Sequence, residues 1–180
     1  MSRSLAPFAL LLLVLGAVAG LQYYGRSPHS GYEAPDFTLP DLHGTPYRLS
    51  DFRGQVIFLN LWATWCPPCR QEMPSMEALY RRLKDRGFVM LAVAEDEGGA
   101  AAVRPFVEEM KLTFPVLLDP GATLSPRYGA TGYPETFIID RNGQVVNHTI
   151  GPAAWHSGEM VAYFEQLLEA PIPGVQASTK

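Results

Sequence analysis

Residues 56–69 read VIFLNLWATWCPPC, which joins an apolar segment to a closely spaced pair of cysteines. The first seven residues are almost all apolar and β-prone, which predicts a central strand covered on both faces. A second run of this kind, FVMLAVA, occupies residues 88–94, and apolar side chains recur at helical spacing between the two runs. The pattern predicts a βαβ unit with parallel strands, in which the cysteines open the helix.

Further elements extend this unit in both directions along the chain. A turn signal at 41–44 between apolar residues predicts a β-hairpin over 37–49. Beyond the second strand we expect a helix at 100–110, a strand at 114–118, a hairpin of strands 135–140 and 144–150 around an Asn-Gly turn, and a helix at 155–169. This order predicts an α/β protein with a mixed central sheet and helices on both faces.

The first 25 residues have the pattern of a targeting or anchoring segment. Arg3 precedes 17 uncharged residues at 5–21, rich in Leu, Ala and Val. This length lies between that of the apolar core of a signal peptide and the roughly 20 residues that a membrane anchor needs to span a bilayer. The segment is therefore either a signal peptide cleaved after Ala19 or an uncleaved anchor. In both cases the charge of Arg3 predicts that the remainder lies outside the cytoplasm.

The rest of the chain divides into three parts. Residues 26–33 are polar and suit a short tether, and residues 34–170 form the predicted folded domain. Residues 171–180 contain two prolines and no periodicity, which predicts a flexible tail. The acidic run at 95–97 precedes two glycines and is interpreted as a solvated loop.

Composition and charge exclude several classes of protein. The chain has 180 residues, of which 47% are hydrophobic and 18% charged, as expected for one folded domain. Its 14 Lys and Arg residues against 18 Asp and Glu residues give a formal charge of −4, so nucleic-acid binding is not expected. Two cysteines cannot form the disulfide framework of a small secreted scaffold, which indicates that they serve local chemistry.

The spacing of Cys66-Pro67-Pro68-Cys69 favours redox chemistry. A helix N-terminus provides unpaired N–H groups and partial positive charge, which favour the thiolate of Cys66 at the exposed helix start. Cys69, one turn further on, can then attack a mixed disulfide formed at Cys66. Two alternatives are a structural disulfide, whose short loop gives little stabilisation, and half of a zinc site, for which the scattered histidines provide no paired ligands.

Longer motifs around the cysteines resemble a known family. They are LWATWCPPCR at 61–70 with EMP at 72–74, APDF at 34–37, LSDFRG at 49–54 and GYPETFIID at 132–140. Together they resemble thioredoxin-fold proteins of the TlpA/ResA type, membrane-tethered thiol–disulfide oxidoreductases outside the cytoplasm. The resemblance implies a thioredoxin-like domain with an N-terminal β-hairpin extension and an inserted helix.

The resemblance also implies roles for particular residues. Cys66 becomes the attacking cysteine, Cys69 its buried partner and Pro134 a cis-proline facing them, whereas an ordinary X–Pro bond would be trans. Glu72 is expected near the cysteines, where it raises the thiol pKa values and relays a proton to Cys69. The alternative for Glu72 is an exposed acid in the first helical turn. Asn60 occupies the strand position where thioredoxins proper carry a buried aspartate.

Substrate contacts are expected from residues beside the cysteines. Trp65 would form an apolar rim, Pro67 and Pro68 lie between the two sulfurs, and the backbone of Tyr133 would pair with a substrate strand. Because Pro68 has no N–H, the thiolate of Cys66 is less stabilised, which favours a reductant.

The expected function is thiol–disulfide exchange on exported proteins. Family members often reduce apocytochrome c or oxidase assembly factors and are recharged by a membrane thiol transporter, so these partners and a membrane anchor are implied. No cofactor and no metal is expected.

Two alternative functions remain open at this point. A peroxiredoxin-type thiol peroxidase needs Thr three residues before the cysteine, where this chain has Ala63, with Thr64 out of register. A copper-binding chaperone of this fold spaces its cysteines by one more residue and adds a distant His.

Overall fold

The computed structural model describes residues 31–170. The predicted anchor or signal peptide, most of the tether and the tail lie outside the described residues. The strands are β1 (Tyr32–Glu33), β2 (Thr38–Pro40), β3 (Pro46–Arg48), β4 (Val56–Trp62), β5 (Phe88–Ala94), β6 (Val116–Leu118), β7 (Glu135–Ile139) and β8 (Gln144–Ile150). The helices are α1 (Pro67–Leu83), α2 (Gly99–Met110), α3 (Leu124–Tyr128) and α4 (Gly158–Glu169), with a 3₁₀ turn at Leu49–Phe52.

Six strands form one mixed sheet in the order β1-β8-β7-β4-β5-β6. Strands β4, β5 and β6 are parallel, while β7 runs antiparallel to both β4 and β8. The predicted βαβ unit is confirmed, because β4 and β5 pair in parallel from Val56 opposite Phe88 to Trp62 opposite Ala94. The predicted N-terminal hairpin is the separate β2–β3 pair.

Side chains of β4 alternate between two cores, one on each face of the sheet. Val56, Phe58 and Trp62 pack with α1, α2 and α4 on one face. Ile57, Leu59 and Leu61 pack on the other face, which the short helix α3 and the 3₁₀ turn cover. All seven residues of β4 are buried, as predicted for a strand covered on both sides.

Three boundaries differ from the sequence-based prediction. Strand β1 lies within the predicted tether, so pairing with β8 begins at Tyr32 rather than after residue 33. Strand β6 begins at Val116, because Pro115 has no N–H for the ladder. Helix α4 begins at Gly158, because the hydroxyl of Ser157 accepts the N–H of Met160 at 3.3 Å and caps the helix there.

Helix α3 was not predicted. Its five residues are held at the start by Asp119, whose carboxylate accepts the N–H of Leu124 at 2.8 Å and the hydroxyl of Thr123. Within residues 31–170, no helix combines the length and apolar character needed to cross a bilayer.

Candidate active site

The two cysteines lie where β4 passes into α1. Cys66 is the N-cap residue of α1, with extended backbone angles of −87° and 107°, and Pro67 and Pro68 fill the first two helical positions. An N-cap side chain accepts the N–H of the second or third helical residue, and Pro68 has no N–H. The Sγ atom of Cys66 accepts the N–H of Cys69 at 3.2 Å. The first sulfur therefore lies at the helix start, as predicted.

Cys66 and Cys69 are joined in a disulfide, with 5.3 Å between their Cα atoms. Cys69 is fully buried, whereas Cys66 is 3% exposed. Both cysteines are therefore buried in the oxidised protein, and the exposed position expected for Cys66 is not found there.

Glu72 lies inside the protein, three residues after Cys69 on α1. Its side chain is buried with 2% exposure, so the alternative of an exposed acid in the first helical turn is wrong. Three N–H groups donate to its carboxylate: Nδ2 of Asn60 at 3.1 Å, Nε1 of Trp155 at 2.8 Å and the amide of Ala153 at 3.3 Å. These partners come from β4 and from the loop after β8.

The electrostatics of Glu72 reflect two opposing effects. Burial raises its pKa, because transfer from water disfavours the ionised form, and the three N–H donors lower it. Burial is the larger effect, so the pKa lies above the usual Glu range. Residues three apart on a helix lie on the same face, which places this acid on the side of α1 that carries Cys69. Placement on the same helix face is what the predicted proton relay from Cys69 to Glu72 requires.

Asn60 connects Glu72 to the strand that follows the cis-proline. Its amide nitrogen donates to Glu72 Oε1 and to the hydroxyl of Thr136 at 2.9 Å, and the side chain is fully buried. The strand position that carries a buried aspartate in thioredoxins therefore carries the neutral amide of Asn60 here. The buried acid next to it is Glu72, on helix α1.

The loop before β7 lies against Trp65, the residue before Cys66. The Tyr133–Pro134 peptide bond is cis, as predicted. The carbonyl of Pro134 accepts the N–H of Gly151 at 2.9 Å. Among residues 31–170, neither the amide nor the carbonyl of Tyr133 has a hydrogen-bond partner, so both are available to an added strand. The ring of Tyr133 lies 5.6 Å from that of Trp65, which is 66% exposed.

Glu135 is a functional candidate that sequence reasoning missed. It is fully buried at the start of β7, where one oxygen accepts N–H groups of Thr131 and Gly132 at 2.7 and 3.0 Å. The other oxygen lies 2.7 Å from Nε2 of His148. Glu135 thus ties the loop that carries Tyr133 to β8. The available signal was an acid directly after Pro134, at the first position of a β-prone segment.

The interpretation of residues 95–97 as a solvated loop is wrong for the first two acids. Glu95 and Asp96 are buried, with 4% and 3% exposure. Glu95 accepts hydrogen bonds from Ser125 and Tyr133, while Asp96 accepts the N–H and hydroxyl of Thr64 at 3.0 and 2.5 Å. Both acids follow β5, whose carboxyl end lies beside that of β4, and this adjacency brings them to the active site.

A metal site receives no support from the described part of the chain. Residues 31–170 contain no group of three or more His, Cys, Asp and Glu side chains placed to hold a metal ion. His148 is engaged with Glu135.

A family model and a sequence relative both match this chain. The AhpC/TSA family model matches residues 30–148, which include both cysteines and Pro134. Thiol-disulfide oxidoreductase ResA of Bacillus thuringiensis subsp. konkukian is 39% identical over 155 residues, covering 83% of this chain and 89% of the relative.

Solved structures agree with these sequence matches. A Chlorobium tepidum protein assigned as the thiol:disulfide interchange protein DsbE superimposes with a TM-score of 0.68 at 35% identity, covering 79% of this chain and 96% of that one. The thioredoxin domain of a thiol-disulfide oxidoreductase from Bacteroides vulgatus gives a TM-score of 0.69 at 25% identity, covering 79% and 100%.

Proposed function

The chain belongs to the AhpC/TSA family and is a thiol–disulfide oxidoreductase with the thioredoxin fold, and from this premise we propose that it reduces disulfides of exported proteins outside the cytoplasm. One observation carries the proposal. Cys66, at the N-cap of α1, is bonded to the buried Cys69, with the acid Glu72 three residues further along the helix.

The reaction requires two exchange steps. In the reduced protein, the Cys66 thiolate attacks a substrate disulfide, forms a mixed disulfide and releases the first substrate sulfur as a thiolate. Cys69 then loses its proton to the Glu72 carboxylate and attacks Sγ of Cys66, which releases the second substrate sulfur. Two electrons pass to the substrate, and the protein is left with its Cys66–Cys69 disulfide. A dithiol donor must reduce this disulfide again before the next cycle.

The reducing direction is supported by the surroundings of Cys66. Two prolines occupy the first two helical positions, so the N–H of Cys69 is the donor that reaches Sγ. A thiolate with fewer donors is less stabilised, which disfavours the reduced form and makes the protein a stronger reductant. An ionised Glu72 acts in the same direction by repelling a thiolate.

The proposal also covers the location of the protein and its partners, and these parts rest on the sequence. We infer that residues 1–25 anchor the protein in the membrane, with Arg3 on the cytoplasmic side and the domain outside. Substrates there include apocytochrome c or oxidase assembly factors, whose cysteines must be reduced, and a membrane thiol transporter would supply the electrons. The unpaired backbone of Tyr133 supports an extended protein segment as the substrate.

The structure favours this function over the two alternatives. In a thiol peroxidase, a Thr hydroxyl must orient peroxide near the cysteine, but the hydroxyl of Thr64 is bonded to Asp96. For a copper chaperone, the described residues place no His, Asp or Glu with the cysteine pair in a metal-binding group of three.

The reduction potential of the Cys66–Cys69 pair tests the proposal. The full-length protein would be equilibrated with glutathione and thioredoxin couples and assayed for insulin reduction. We expect insulin reduction, and a potential nearer the approximately −270 mV of thioredoxin than the approximately −120 mV of a strong oxidant. A potential near the latter value, or peroxide consumption or tight one-to-one Cu(I) binding without insulin reduction, would overturn the proposal. The Cys66→Ser/Cys69→Ser double variant is the control.

A further inference from the structure

The side chains of Trp65 and Tyr133 are called here the aromatic rim. Trp65 directly precedes Cys66, and Tyr133 directly precedes Pro134. Their rings meet edge to face, with centroids 5.6 Å apart and planes at 72°. The rim borders a pocket of about 590 Å³, whose other side is formed by Gly98, Ala102 and the 120–122 turn. Thr64 and Trp65, the two residues before Cys66, also line this pocket.

Glu95 holds the outer end of the Tyr133 ring. The Tyr133 hydroxyl donates to Glu95 Oε2 at 2.7 Å. The amide of Ser125 donates to Oε1 at 3.0 Å, and the Ser125 hydroxyl donates to Oε2. The backbone N–H of Glu95 donates to the carbonyl of Trp62 at 2.9 Å. The carboxylate is therefore held by α3 and the backbone of Glu95 by the end of β4, and Tyr133 is the contact of the carboxylate with the loop before β7.

The charge and burial of Glu95 argue against a packing role. A carboxylate with 4% exposure costs free energy unless its oxygens are satisfied, and an apolar side chain would fill the same space without that cost. Bonds to a charged acceptor are also stronger and more directional than neutral ones. Burial together with the Glu95 carboxylate raises the pKa of Tyr133 to about 12, so the phenol remains a hydrogen-bond donor throughout the neutral range.

Asp96 fixes the other half of the rim in the same way. Its two oxygens accept the N–H and the hydroxyl of Thr64, the residue before Trp65. Two consecutive acids at the end of β5 thus anchor the two separate segments that carry the rim. Of the hydrogen bonds that these two acids accept, the one from the Tyr133 hydroxyl to Glu95 directly involves a side chain of the aromatic rim.

We infer that Glu95 is a positioning residue for protein substrates, holding the Tyr133 hydroxyl so that the Tyr133 ring stands against Trp65 and forms a wall for the substrate residue beside the reacting disulfide. The inference rests on the proposed function only in taking a protein disulfide as the substrate. Glu95 itself does not touch the reacting sulfur atoms, and it acts through Tyr133.

A double-mutant cycle tests this role. Glu95→Gln, Tyr133→Phe and the double variant would be compared in insulin reduction, with thermal or urea unfolding measured in parallel. We expect each single variant to raise the KM for insulin roughly fivefold, the scale of one hydrogen bond, with a smaller change in kcat. The double variant should be no worse than the more affected single variant, because Glu95 acts through the hydroxyl that Tyr133→Phe removes.

A matched control removes a comparable hydrogen bond elsewhere. The hydroxyl of Tyr128, at the end of α3, donates to the carbonyl of Pro35 at 2.9 Å and takes no part in the hydrogen bonds of Glu95. Tyr128→Phe should lower stability and leave the KM for insulin unchanged. A purely structural role of Glu95 predicts that Glu95→Gln likewise lowers stability and leaves the KM for insulin unchanged. Any effects of Glu95→Gln and Tyr133→Phe on kcat/KM would then multiply in the double variant.

The possible results distinguish a failure of this inference from a failure of the proposed function. If the wild-type protein does not reduce insulin, the proposed function fails. If the wild type is active and the KM values of Tyr133→Phe and wild type agree, the positioning role fails, and multiplicative effects in the double variant contradict it as well. Should Glu95→Gln fold poorly, Ser125→Ala removes one support of the carboxylate and keeps its charge. An unchanged KM in both Ser125→Ala and Tyr133→Phe would then overturn the inference.

Discussion

The indole N–H of Trp155 donates to Oε2 of Glu72 across 2.8 Å, although the two residues are 83 positions apart in the chain. Trp155 is fully buried in the loop before α4 and packs edge to face on Phe58 of β4, with ring centroids 4.7 Å apart. The acid on the cysteine-bearing helix is therefore held by a rigid aromatic side chain from the other end of the domain. This contact fixes the position of the carboxylate relative to β4.

Replacement of Glu72 by Gln should change the reactivity of Cys66. Loss of a neighbouring negative charge is expected to lower the pKa of the Cys66 thiol and to slow release of reduced substrate, because Cys69 loses its proton acceptor. The alkylation rate of Cys66 with iodoacetamide, measured against pH in the reduced protein, reports the thiol pKa. Glu77→Gln, a change of the same type further along α1, is the control. Superimposable profiles for Glu72→Gln and wild type would remove Glu72 from the mechanism.

The stability of the protein should depend on pH through Glu72. Its pKa in the folded state is raised by burial above the ordinary value of 4.5, so the folded protein binds this proton more tightly than the unfolded chain does. The stabilisation is fully present below 4.5 and is lost as pH rises through the folded pKa. Urea unfolding of the oxidised protein at a series of pH values should show this decline in wild type and a flatter profile in Glu72→Gln. Equal slopes in the two proteins would contradict it.

The two cysteines should behave differently when replaced. Cys66→Ser is expected to abolish insulin reduction, because the remaining thiol is fully buried. Cys69→Ser keeps the attacking thiol and lacks the resolving one, so mixed disulfides with substrates should accumulate. Non-reducing gel electrophoresis after incubation with insulin separates these outcomes. Equal reactivity of the two single-cysteine proteins towards iodoacetamide would count against the assigned roles.

Pro68 should influence the reduction potential more than Pro67 does. Pro68→Ala restores an N–H at the second helical position, where it can donate to the Cys66 thiolate and stabilise the reduced form. We expect the potential to become less negative by about 30 mV, equivalent to about 1.4 kcal/mol for two electrons. Pro67→Ala is the matched control, because the first helical N–H does not reach an N-cap side chain. Equal shifts in both variants would show that the proline ring, not the missing donor, matters.

The N-terminal segment should keep the full-length protein on the membrane. An uncleaved anchor predicts association that survives alkaline and high-salt washing, because an apolar span is not released by charge screening. Fractionation with washing, followed by mass determination of the product, measures this. Release of a chain shortened at Ala19 would instead identify a cleaved signal peptide.

Much of the fold could be predicted because its signals are local. The burial of β4 and β5 is visible in uninterrupted apolar runs, and the β7–β8 hairpin in its Asn142-Gly143 turn, where Gly143 has a φ of 79°. Helix α3 has only five residues, too few for a periodic pattern, and depends on Asp119 and Glu95 for its N-terminal hydrogen bonds. Such a helix cannot be recognised without its tertiary partners.

The chemistry of the cysteine pair was determined by the sequence itself, since Cys66, the two prolines and Cys69 lie within one helical turn and their arrangement needs no distant partner. The surroundings of that pair were decided by the tertiary structure. Glu72 meets Asn60 across 12 positions, and Glu95 meets Tyr133 across 38. A carboxylate looks the same in the sequence whether it is solvated or buried, and it becomes a proton acceptor or a positioning group only when folding removes water and supplies its donors.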